Sequence, residues 1–137
     1  MTSQHLAPFC PHYHEAVELI GRRWSGAILR SMLSGTQRFS EIGAPIPGLS
    51  DRLLSERLKE FESAGLAERT VIPDTPVRVK YRLTDKGRSL RPVVEALTAW
   101  AEEWLGAGVS CDADAGRTAN EHRARNPLLL WSERSAE

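Results

Sequence analysis

The chain has 137 residues, 41% of them hydrophobic and 26% charged, a balance that suits one globular domain with a single modest core. No apolar run approaches the roughly 20 residues of a membrane-spanning helix, and the opening MTSQHLAPFC lacks the basic and apolar regions of a secretory leader, so a cytoplasmic protein with no membrane partner is expected. Formal net charge is zero, yet residues 21–91 hold 14 Lys and Arg against 8 Asp and Glu; this basic centre suits a polyanion-binding surface, the plainer alternative being a solvated surface of mixed charge.

In chain order, Tyr13, Val17, Ile20 and Trp24 recur at helical spacing after Pro11, which predicts a first helix with an apolar stripe reaching Trp24. A second helix is expected over residues 25–33, closed by Ser34 and Gly35. In RFSEIGAPIPG, Ser40 can cap a very short helix that Pro45 and Pro47 keep short. Ser50 is a good N-cap for the next helix, with Asp51 suited to the helix dipole, Leu54, Leu58 and Phe61 on one face, and Gly65 as terminator. LAERTVIP and VRVKYRL alternate as strands around a PDTP turn and predict a hairpin. Thr84 can cap a last helix carrying Leu90, Val94, Leu97, Ala101 and Trp104, with a kink or restart at Pro92. Beyond Gly106 the sequence turns small and polar and reads as a flexible tail. The expected organisation is an N-terminal arm (1–9), a helix-turn-helix with a two-stranded wing (10–105) and a C-terminal tail (106–137). With no βαβ run and no glycine-rich phosphate loop, the pattern does not fit an enzyme, and no cofactor is expected.

A DNA-reading helix needs one apolar face for the core and one polar face that hydrogen-bonds bases and phosphates. Ser50, Asp51, Arg52, Ser55, Glu56 and Lys59 supply such a face, though a solvated helix surface has the same composition. Arg78 and Lys80 alternate along the second strand and so share one side of the wing, where they can lie over a phosphate strand or a minor groove. Arg38, before the short helix, can add a phosphate contact, and Ser40 close by is a further candidate DNA contact. In the last helix, Trp100 and Leu105 extend the apolar stripe to a second face, so one face can serve the core and the other a partner.

The motifs CP…LIGRRW, ILRSML, RFSEI, PGLSDRLLSERLKEFESAGLAERTV and P-x-x-P-V-R-V-x-Y-x-L-T-x-x-G-x-x-L-x-P, taken together over residues 10–105, resemble the HxlR-type regulators. These are a MarR-like branch of winged-helix transcription factors. The resemblance implies a mainly α fold with a small β-hairpin wing. It implies a homodimer on double-stranded DNA with a palindromic operator, joined through the first and last helices by Tyr13, Val17, Leu90, Val94, Leu97, Trp100 and Trp104. It also places Arg57 on the recognition helix with Ser50, Asp51, Arg52, Ser55 and Lys59, and Arg78 on the wing. Two regions depart from the family pattern: His12 and Tyr13 after CP, and the long C-terminal extension.

Cys10 and Cys111 are the only cysteines, too few for a disulfide framework and expected as free thiols. Proline is favoured at the first position of a helix. If Pro11 takes it, Cys10 is the N-cap, at the positive end of the helix dipole, a position suited to a reactive thiol. The resemblance agrees, since HxlR-type regulators include sensors of oxidants or small electrophiles that use a cysteine here; Cys111 is then its available disulfide partner, across the dimer. Three other readings stand beside this one. Cys10 can be a small residue packed at the interface. It can be a metal ligand with His5, His12 and His14, although on a helix His12 and His14 lie about 200° apart. A thiol enzyme would need an acid–base partner that no C-x-x-C or neighbouring motif supplies. A winged helix that binds only protein is the remaining alternative, and Arg78 and Lys80, which keep the wing basic, weigh against it.

Overall fold

The computed structural model describes residues 6–106. Eight elements follow in order: α1 (Pro11–Ile20), α2 (Ser25–Leu33), α3 (Phe39–Gly43), α4 (Asp51–Ser63), β1 (Ala67–Ile72), β2 (Arg78–Leu83), α5 (Asp85–Arg88) and α6 (Arg91–Leu105). None of these helices is long and apolar enough to cross a membrane. The expected tail, with Cys111, and His5 in the arm lie outside the described residues.

The core is built where the apolar sides of α2, α3 and α4 meet the base of the hairpin. Ile28, Leu29 and Met32 from α2, Ile42 from α3, and Leu54, Leu58 and Phe61 from α4 are buried against Leu66, Tyr81 and Leu83. Burial of this apolar set supplies the main drive to fold. The hairpin is antiparallel, in register from Ala67↔Leu83 to Ile72↔Arg78. Its second strand also borders the segment before α3: Arg38 bridges Lys80, and Tyr81 N donates to Gln37 O at 2.8 Å. The wing is thereby tied to the start of α3 as well as to the end of α4.

Two local expectations are corrected, and the break expected at Pro92 is found as a restart. The first helix does not run to Trp24; it ends at Ile20, with Gly21 N returning to Val17 O at 2.7 Å. Trp24 instead takes a left-handed φ of 76° before α2. Its ring packs against the core and lies beneath the Arg23 guanidinium, 5.1 Å from the ring centroid. A left-handed conformation costs a non-glycine residue about 1–2 kcal/mol, which such packing offsets. Ser40 does not cap α3: Arg38 is the N-cap, and Ser40 stands exposed in the first turn. After the hairpin there are two helices. Thr84 caps α5, its hydroxyl accepting from Gly87 N at 3.2 Å, and the chain restarts at Arg91 with Pro92 in the first turn of α6, where a missing N–H costs nothing.

Neither α1 nor α6 buries a residue within the chain. Long polar side chains brace α6 against α2. Arg91 donates to Leu33 O at 2.6 Å, and Arg30 donates to Thr98 Oγ1 at 2.7 Å.

Candidate nucleic-acid interface

Ser50 starts α4 in extended conformation, its hydroxyl accepting from Leu53 N at 3.2 Å. With the helix begun there, Leu54, Leu58 and Phe61 turn inward, while Arg52, Ser55, Glu56 and Lys59 lie on the other side. Arg52 is the most open of these, its side chain 88% exposed and only loosely paired with Glu56 at 3.4 Å, a surface pair that costs little to break.

Between α3, α4 and the hairpin lies an open groove of about 690 Å³. Arg38 and Ser40 enter it from α3, Ser55 and Lys59 from α4, and Arg78 from β2, over a floor that includes Phe39, Val79 and Tyr81. Arg69, from β1, completes the lining. It pairs with Tyr81 in the register, so it shares that residue's side of the sheet. Four cations therefore line one groove, and no carboxylate is among its lining residues. Low-dielectric walls concentrate the field of such like charges, which favours a phosphate backbone.

Arg38, Ser40, Ser55, Lys59 and Arg78 thus come together. Ser50, Asp51, Arg52 and Glu56 are not part of the groove lining; all four are exposed, and Ser50 and Asp51 begin the helix. Lys80 shares its strand face with Arg78, as alternation requires, but it is half-buried beside Arg38 and does not line the groove. Arg57 belongs to α4 but is withdrawn from its exposed polar face. It is only 9% exposed, with its Nε donating to Arg23 O at 2.9 Å and a terminal nitrogen to Glu60 at 3.1 Å. Arg69 is the residue that sequence reasoning passed over. The strand register across PDTP carries the signal, since it sets Arg69 opposite Tyr81.

A second exposed surface is apolar. Tyr13 and Val17 of α1 and Leu97, Trp100 and Trp104 of α6 are all open, Tyr13 at 72% and Trp104 at 68%. Leu90 and Val94 are not part of it, because they pack half-buried against the chain's own core. The stripe on α6 is therefore split between an inner and an outer face.

Cys10 is the N-cap of α1, exposed and without a side-chain capping bond, and Pro11 opens the helix. His12 and His14 follow within the helix, about 200° apart around its axis. His14 tilts against the Phe9 ring, 5.6 Å between centroids, and lies 3.9 Å from Glu18. Among the described residues no group of three or more His, Cys, Asp and Glu side chains is placed to hold a metal ion.

YvaP of Bacillus subtilis, an uncharacterized HTH-type transcriptional regulator, is 51% identical over 96 residues, 70% of this chain and 89% of its own. The structure of reduced YodB, a transcriptional regulator from B. subtilis, matches with a TM-score of 0.61 and 44% identity, over 70% of this chain and 94% of that one. YodB has also been solved diamide-treated and quinone-bound. The redox regulator HypR in its reduced form matches at TM-score 0.63 and 33% identity, over 67% of this chain and 91% of its own. The model of the HxlR-like helix-turn-helix family matches residues 19–108, which takes in α2 to α6, and the chain belongs to this family of winged-helix transcriptional regulators.

Proposed function

We propose that the chain is a cytoplasmic, homodimeric regulator that binds a palindromic operator and releases it when Cys10 is oxidised or alkylated. The groove between α4 and the hairpin carries this reading: four cations on one concave surface, beside a recognition helix whose outer face is polar. The exposed apolar sides of α1 and α6 supply the dimer contact, through Tyr13, Val17, Leu97, Trp100 and Trp104. Cys10 lies at the start of α1, on the same interface, so a change at its sulfur alters how the two subunits meet. YodB, similar over the same region, has been solved with diamide treatment and with a bound quinone.

Two chemistries fit. A quinone adds to the Cys10 sulfur at a ring carbon, the thiol proton passing to a ring oxygen. Alternatively, Cys10 and Cys111 of the partner subunit join as a disulfide, their two electrons and two protons reducing the N=N bond of diamide to a hydrazine. The test is operator release, followed by fluorescence anisotropy on the upstream DNA of the chain's own gene, with each reagent in turn. Wild type is expected to release with both, Cys10→Ser with neither, and Cys111→Ser with the quinone only. Full release from Cys10→Ser would leave Cys10 as a packing residue.

A further inference from the structure

We infer that Glu60 is a positioning residue that locks the recognition helix α4 to the segment leaving α1, so that the setting of α1 fixes the setting of α4. The inference deepens the proposed function and rests on it for the roles of α1 and α4. Residues 21–24 join α1 to α2. Two residues of α4 grip this linker. Glu60 accepts from the Arg22 guanidinium at 2.6 Å and from the Arg57 guanidinium at 3.1 Å, on the same carboxylate oxygen. Arg57 completes the hold by donating to the Arg23 carbonyl at 2.9 Å. One side-chain bond and one backbone bond thus run from α4 to adjacent linker residues, with Glu60 common to both guanidinium groups.

Two features make this more than a surface ion pair. The Arg57 side chain is only 10% exposed, so its charge has lost most of its water and depends on these acceptors. The hold also lies directly after the helix that bears Cys10 and one exposed apolar face. If α1 tilts at a subunit interface, the tilt reaches α4 through Arg22 and Arg23.

The test uses the full chain and two substitutions. Arg22→Ala removes a half-exposed partner; Glu60→Gln keeps the shape and removes the charge. Hydrogen exchange of the free protein is expected to accelerate about tenfold at the amides of residues 21–25 in both variants, while amides of the hairpin exchange as in wild type. On DNA, inserting one base pair between half-sites should weaken wild-type binding about tenfold, because the two recognition helices are held at one spacing. Both variants should tolerate the insertion with less than about half of that loss in logarithmic terms. A general loss of stability would lower affinity for both operators alike and leave their ratio unchanged. Exchange at residues 21–25 that stays at the wild-type rate overturns the lock. Faster exchange with an unchanged spacing ratio overturns the coupling to α4. If wild type binds no operator of either spacing, the proposed function falls, and the exchange measurement still decides whether the lock exists.

Discussion

Gly87 backs onto Leu66 so closely that a Cβ at Gly87 would stand 2.2 Å from the Leu66 carbonyl oxygen and 2.9 Å from Leu83 Cδ2. Here the chain leaving the hairpin is pressed against the chain entering it, and the same Leu66 oxygen accepts from Thr84 N at 3.0 Å. The obstacle is backbone, which cannot rotate away. Gly87→Ala is therefore expected to lose at least the 1–3 kcal/mol, roughly, of an overpacked site. Gly26, near the start of α2, is the control: its added Cβ would meet only Ile20 O, at 3.7 Å. Gly26→Ala should be neutral or gain up to about 1 kcal/mol from helix propensity. Urea midpoints for the two variants check this, and equal midpoints would mean that the hairpin base relaxes.

The same junction sets an order for two caps. Thr84 Oγ1 accepts from Gly87 N at 3.2 Å and donates to Gly65 O at 2.6 Å. Ser50 Oγ makes a single capping bond, to Leu53 N at 3.2 Å. Loss of a cap costs about 0.5–2 kcal/mol, and Thr84→Ala also leaves the Gly65 carbonyl without this donor. Thermal unfolding followed by circular dichroism should show Thr84→Ala melting lower than Ser50→Ala. The reverse order would contradict the double role of Thr84.

Much of this fold is legible because local rules agree with one another. Ser50, Leu54, Leu58, Phe61 and Gly65 mark cap, core face and terminator of one helix, and the structure uses each in that role. Pro92 marks the restart, since a proline in the first turn loses no helical bond. The failures come from tertiary packing. Trp24 continues the helical spacing of Tyr13, Val17 and Ile20, yet the core takes its ring at a left-handed backbone position that no periodicity announces. Arg57 has the residue type of a DNA contact on the right helix, and only its depth shows that it serves the linker instead. Arg69 is the converse case, an ordinary strand residue until the hairpin register turns it toward the groove. Leu90 and Val94 read as one stripe with Leu97 and Trp104, but α6 packs with the first two turned onto the core and the other two left on its outer face.

That split predicts opposite outcomes along α6. Leu97 and Trp104 are exposed at 64% and 68%, so Leu97→Glu and Trp104→Glu should leave the fold intact and produce monomers that no longer bind the operator. Val94 packs on the core, so Val94→Glu should instead destabilise the chain, because a carboxylate there loses water without a partner. Sedimentation velocity alongside thermal melts separates the two cases. Folded, fully dimeric Leu97→Glu and Trp104→Glu proteins would remove α6 from the dimer interface.

The groove predicts two kinds of arginine. Arg38, Arg69 and Arg78, with Lys59, line a concave surface around backbone-sized space. Arg52 lies outside the groove near the start of α4, almost fully exposed and only loosely paired with Glu56, where a recognition helix meets base edges. Phosphate contacts release counterions and are blind to sequence. Arg69→Ala and Arg78→Ala should each weaken binding to operator and random duplex by similar factors, and each should reduce the slope of log affinity against log salt by about 1. Arg52→Ala should act differently. If its guanidinium pairs with a guanine edge, the operator loses about 1–3 kcal/mol while random DNA is little affected, so the specificity ratio falls. The measurement is a salt titration of both duplexes for the wild type and the three variants. Arg69 is the most exacting case, because it reaches the groove only through the pairing of β1 with β2. A wild-type salt slope in Arg69→Ala would show that DNA does not enter the groove as far as the base of the wing.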